Sequence, residues 1–186
     1  IIRYHRTFTN SLFLLFPISY ILAFVFCKLS KRDSIREFFF ISLIQISVHI
    51  FLDLITPFGS MLLYPFKRIR FSLDWMFIID PYFTCIFIAG IVLITIFKRY
   101  SKKIGKITLI TASIYILFCG LNHLKAIEIS KGYAKDKNIK DGVIMVLPQP
   151  LSPFFWAVYI SEDTYILEGF LDLTGSYSKL LSNAFP

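Results

Sequence analysis

Four apolar runs, residues 12–27, 38–55, 76–97 and 107–121, leave this chain few folds to choose from. About 20 residues are needed to cross a bilayer core, and each run approaches that length, with flanking residues completing the first and fourth. Lipid offers the backbone no hydrogen bonds, so runs like these cross only as helices. The expected fold is therefore mainly α: a polytopic membrane helix bundle of about four spans, followed by a small β-rich appendage. Pro17 in the first run and Pro81 near the start of the third should kink or start helices.

Composition agrees. Hydrophobic residues make up 56% of the chain and aromatics 18%, and the mean hydropathy is +0.66, which is too apolar for an ordinary soluble domain. The formal charge of +8 comes from Lys and Arg in short clusters between the runs, where they act as topology signals and contacts to anionic lipid. Membrane lipids are thus the expected partners, and nucleic acid is not. Cys27, Cys85 and Cys119 are odd in number and lie within apolar runs, which argues against a disulfide framework or a Cys-type zinc site. The chain opens on Ile1 rather than Met, and the stretch before Leu12 lacks the form of a signal peptide, so an N-terminal piece is expected to be missing.

Two short loops carry most of the basic residues: Lys28, Lys31, Arg32 and Arg36 in one, and Lys98, Arg99, Lys102, Lys103 and Lys106 in the other. If all four runs span, both loops fall on one side, and the positive-inside rule makes that side cytoplasmic. The same topology brings His5, His49, Asp53, Asp74, Asp80 and His123 to the opposite, extracytoplasmic end. After Ser130 the character changes. Residues 131–141 read as a charged, Gly-containing connection, and residues 143–147, 154–160 and 164–173 as short strands, with a hairpin turn at Ser161-Glu162-Asp163. The expected division is a membrane bundle carrying the site over residues 1–130 and an extracytoplasmic β-rich tail over residues 131–186.

Within the second run, Ser42, Gln45, His49, Asp53 and Thr56 recur at helical spacing among Phe, Ile, Leu and Val. An imidazole and a carboxylate one turn apart at such depth are expensive and point to a functional site. Side chains at i and i+4 can converge on a cation, and neutral imidazole with carboxylate suits zinc, manganese or iron. The same pair can instead hydrogen-bond to each other and to a neighbouring helix, or form part of an ion path. His5 reads equally as a ligand or, with Asn10, Arg6, Thr7, Thr9 and Ser11, as part of a helix cap before the apolar run. Asp80 before Pro81 has the form of an N-cap with Pro at the first helical position. His123 continues a stripe through Thr108, Thr111, Tyr115 and Cys119, for which helix packing is the better reading. No Gly-rich phosphate loop, nucleophile elbow or H-E-x-x-H occurs.

The motifs HRTFTNS (residues 5–11), HIFLDLITPFGSMLLYPF (49–66), DWMFIIDP (74–81) and PLSPFFWAVYISEDTYILEG (150–169) together resemble the YdjM-like family of bacterial inner-membrane proteins. That family is described as membrane-bound metal-dependent hydrolases and is similar to zinc-dependent phospholipases C and single-strand nucleases. The resemblance implies His5, His49, Asp53 and Asp80 as metal ligands and Asp53, Asp74 and Asp80 as the carboxylates that position water or accept its proton. Asn10 stands where the family pattern has a second His, and an amide is the poorer zinc ligand.

The expected function is a membrane-bound hydrolase dependent on a divalent metal ion, zinc foremost, acting on a phosphoester of a lipid or envelope precursor at the outer face of the bacterial cytoplasmic membrane. The alternatives are a non-catalytic inner-membrane scaffold or stress-response protein, favoured by Asn10, and an ion or proton translocator, for which the acidic residues provide no continuous path. The topology is tested with single cysteines in a background lacking Cys27, Cys85 and Cys119. Cysteines at Ser34 and Ser101 should be shielded from impermeant thiol reagents in intact cells, while one at Ser178 should react; the reverse pattern inverts the topology.

Overall fold

The computed structural model describes residues 10–32, 34–137, 139, 142–162, 165–174 and 183–185. They fall in two compact units, Ile1–Leu73 and Asp74–Pro186.

The first unit is a helical hairpin, α1 (Leu12–Ser30) and α2 (Ile35–Leu54). Ser11 starts α1, its Oγ accepting a hydrogen bond from the Phe13 amide at 3.2 Å, and Pro17 lies inside the helix without ending it. Lys31 ends α1 in the left-handed conformation, with φ of 53°, and the Cys27 thiol donates to the Arg32 carbonyl across the turn. Ser19 and Ala23 of α1, with Ser42, Ile50 and Asp53 of α2, are buried, whereas Phe16, Phe24, Ile41 and Ile44 point outward. Small residues in the seam and large apolar ones outside suit a hairpin surrounded by lipid, where close backbone approach replaces hydrophobic collapse as the source of attraction.

Residues 55–73 form a loop tied to both helices. The Leu12 amide donates to the Leu62 carbonyl at 3.1 Å, and the Leu73 amide donates to the Leu54 carbonyl at 2.8 Å. Ser60 and Phe71 pair as an isolated antiparallel bridge, and the Tyr64–Pro65 peptide is cis. Phe66 in this loop is 76% exposed and packs edge-on against Phe13.

The second unit begins with α3 (Pro81–Ile96), a 3-10 turn (Lys98–Tyr100) and α4 (Ser101–Asp136). The third apolar run becomes helical only at Pro81, because Asp80 caps the helix there and proline suits the first helical position. Gly90 on α3 lies against Thr108 on α4 so closely that a Cβ would sit 2.4 Å from Thr108 Oγ1. By length and composition α1, α2 and the helical stretch Lys98–Asp136 are long and apolar enough to cross a membrane. With 16 residues, α3 is about 24 Å long, shorter than a hydrocarbon core of roughly 30 Å.

Strands β1 (Val143–Pro148), β2 (Phe155–Glu162) and β3 (Tyr165–Asp172) form an antiparallel meander, to which β4 (Asn183–Phe185) adds a short fourth strand. The expected strands are thus present within a residue or two. Of the residues expected to turn the hairpin, Ser161 and Glu162 instead belong to β2, and Asp163 lies outside the described residues. Trp156, Val158 and Ile160 alternate onto one face of β2 and, with Val146 and Leu171, pack on Ala126 and Ala134 of α4. That packing corrects the expected connection at residue 131: α4 continues through Asp136, because its inner face is still covered by the sheet.

Candidate functional site

In the first unit the polar residues converge at the end of α2. Asn10 is fully buried; its Nδ2 donates to Asp53 Oδ2 at 2.6 Å and to Ser60 Oγ at 2.9 Å. The amide orientation follows from chemistry, since an ionised carboxylate only accepts and must face the NH2 group. Thr56 Oγ1 donates to the Asp53 carbonyl at 2.9 Å, and Ser11 Oγ donates to the Tyr64 carbonyl. The start of α1, the end of α2 and the following loop are therefore joined through one buried polar cluster.

His49 lies at the edge of this cluster. Its ring is largely exposed, and its Nε2 is 3.7 Å from Asp53 Oδ2. That separation exceeds a hydrogen bond. It is close to the roughly 3.4 Å between two donors on a tetrahedral ion with bonds of about 2.0–2.2 Å. Imidazole and carboxylate thus have the donor chemistry and nearly the bite for one divalent cation. Asn10 would then hold the carboxylate in place rather than coordinate, as the groups behind metal ligands commonly do. The polar stripe is divided: Ser42, Asp53 and Thr56 are buried, while Gln45 and His49 are exposed. The interhelical seam runs through Ser42, Ile50 and Asp53 and leaves Gln45 and His49 on its flank.

Sequence reasoning treated Asn10 as a ligand lost. It missed Asn10 as the donor to Asp53, and Ser60 as the second acceptor; neither pairing has a sequence signal, because the partners are 43 and 50 residues apart. Candidate ligand His5 lies outside the described residues.

The remaining candidates belong to the second unit. Asp80 Oδ1 accepts from the Phe83 amide at 2.8 Å, capping α3, and its Oδ2 accepts from the Tyr115 hydroxyl at 2.7 Å. Asp80 therefore joins the start of α3 to the middle of α4, the cap reading with a partner added. Asp74 adopts a left-handed backbone, φ of 55°, and the neighbouring Trp75 lies on Gly120, where a Cβ would come within 3.0 Å of the indole. His123 is buried, stacks on Trp156 with ring centres 5.2 Å apart, and its Nε2 lies 3.2 Å from the Val146 carbonyl. His123 therefore packs as a structural residue, but against strands β1 and β2 rather than against another helix. Among the described residues, no three His, Cys, Asp or Glu side chains gather into a metal-binding group.

Apolar helices of membrane-crossing length, closed by small residues and carrying buried polar groups at their ends, define an integral membrane protein. Residues 1–126 match the family model described as YdjM inner membrane protein, and the chain belongs to that family. No curated protein and no solved structure matches it.

Gly59 shapes the loop that presents Ser60 to Asn10. Its φ is +58°, and a Cβ there would lie 2.3 Å from the Phe71 carbonyl oxygen. Gly59→Ala should cost about 1–3 kcal/mol and lower the thermal midpoint of the detergent-solubilised protein. Gly132→Ala, in α4 where a Cβ meets nothing within 4 Å, should leave the midpoint unchanged or raise it.

Proposed function

We propose that this inner-membrane protein is a multi-pass, metal-dependent hydrolase. In this reading its first unit holds one divalent cation, zinc foremost, near the extracytoplasmic face. The observation that carries the proposal is the approach of His49 Nε2 to Asp53 Oδ2 at 3.7 Å, too long for a hydrogen bond and near the spacing of two ligands on one ion. His5 joins these two in the ligand set on the strength of its sequence motif. The cation would lower the pKa of a bound water and polarise a phosphoryl oxygen.

The chain's own contribution is placement. Asn10 directs Asp53 Oδ2 through a 2.6 Å hydrogen bond, and Ser60 restrains the amide from its other side. Asp53 supplies the negative charge that offsets the ion, and Asp80 holds the start of α3. The position of the basic loops supports an extracytoplasmic site, and a site at that depth favours a phosphoester of a lipid or envelope precursor as substrate.

A second reading, a non-catalytic scaffold, is favoured by a different observation. Asp80 accepts a capping amide on one oxygen and a tyrosine hydroxyl on the other, as a purely structural carboxylate does. The two readings separate at Asp53. Asp53→Asn keeps the shape of the residue but removes its charge. If Asp53 is a ligand, the full-length variant should insert and express normally yet lose bound metal, measured by elemental analysis, together with phosphoesterase activity. Gln45→Leu, on the exposed flank of the same helix, should leave metal content unaltered. Undiminished metal and activity in a well-folded Asp53→Asn protein would leave the scaffold as the function.

A further inference from the structure

At the opposite end of α2 from Asp53, the α1–α2 turn encloses an open pocket of about 400 Å³ lined by Phe24, Cys27, Lys28, Lys31, Arg32 and Ile35. Ile35 and Asp53 are separated along α2 by roughly 27 Å at 1.5 Å per residue, so this pocket is distinct from the candidate metal site. We propose that it binds the phosphodiester headgroup of an anionic phospholipid.

Charge and shape both support that occupant. Lys28 stands in the last turn of α1, and Lys31 ends that helix in the left-handed backbone conformation, φ of 53°. Arg32 follows at once, its carbonyl held by the Cys27 thiol. Three cations thus line one pocket. The guanidinium can take two phosphate oxygens at once, and the ammonium groups act as point charges beside it. Among the described residues, the lining contains no carboxylate. Glu37 lies in the first turn of α2 outside the lining, and Asp33 lies outside the described residues.

The other walls are apolar. Phe24 and Ile35 line the pocket and continue onto the outward surfaces of α1 and α2, where large apolar side chains are exposed. Both helices are long and apolar enough to cross a membrane, so the pocket lies where a span would meet the headgroup region. A soluble phosphate would use the cations and gain nothing from Phe24 or Ile35. A phospholipid uses both, placing its headgroup among the cations and its acyl chains along the helices.

The test uses the full chain in mild detergent, exposed to equal amounts of phosphatidylglycerol and phosphatidylcholine with the same acyl chains, with retained lipid read by native mass spectrometry. Each basic residue near an anionic headgroup is worth roughly fivefold, so the wild type should retain phosphatidylglycerol on the order of tenfold or more over phosphatidylcholine. The triple variant K28Q/K31Q/R32Q should lose that preference, while K98Q/K102Q/K103Q, which removes the same charge from the basic cluster at the start of α4, should keep it within about twofold. Ile35→Trp retains every charge but fills the pocket, and should also release the lipid. Inorganic phosphate at matching concentration should not compete. The proposal is overturned if the wild type shows no preference, if both triple variants lose it equally, or if inorganic phosphate displaces the lipid.

Discussion

A carboxylate at the end of an apolar helix needs a partner where it sits, because the surrounding hydrocarbon offers none and burial of an unpaired charge is costly. Asp53 finds one in Asn10, which arrives from the chain just before α1. Much of the first unit follows from that contact. Asn10 must be buried, so α1 begins immediately after it, with Ser11 capping the helix and reaching the Tyr64 carbonyl. Ser60 must reach the same amide, and the tight bend at Gly59 delivers it. One hydrogen bond of 2.6 Å thereby joins segments that are far apart in sequence into the only buried polar cluster of the described first unit that includes a carboxylate.

The second unit applies the same device with different residues. Asp80 takes the place of Asp53, with the Phe83 amide and Tyr115 hydroxyl as its donors. Small residues again allow close approach: Gly90 meets Thr108, and Gly120 meets Trp75. Beyond the apolar part of α4 the packing changes in kind. There Ala126 and Ala134 receive a sheet whose inner face is Trp156, Val158, Ile160 and Leu171, a hydrophobic core of the sort soluble domains use. His123 marks the transition, with its ring stacked on Trp156 and its Nε2 beside the Val146 carbonyl.

The helices, the strands and the Asp80-Pro81 helix start were legible because each rests on local chemistry: apolar length, alternation of side chains, and a capping carboxylate before proline. What depended on partners distant in sequence was not. Lys131, Gly132 and Lys135 look like a linker when read alone, yet Ala126, Ser130 and Ala134 are spaced to keep one face of the helix inward, and that face is covered by strands that follow it. Helical spacing puts Ser42 to Thr56 in one stripe, but the seam with α1 selects Ser42 and Asp53 and leaves Gln45 and His49 outside. Asn10 in the sequence is only a poor ligand, because its use as the donor to Asp53 depends on a partner 43 residues away.

The dependence of the first unit on the Asn10–Asp53 contact is most directly measured by a double-mutant cycle of Asn10→Ala and Asp53→Ala, from reversible unfolding of the full chain in mixed micelles. A hydrogen bond to a buried carboxylate should give a coupling energy of about 1.5–3 kcal/mol, with the double variant little worse than the more damaging single one. Single effects that add to within roughly 0.5 kcal/mol would contradict it, and would mean that these two residues stabilise the unit independently.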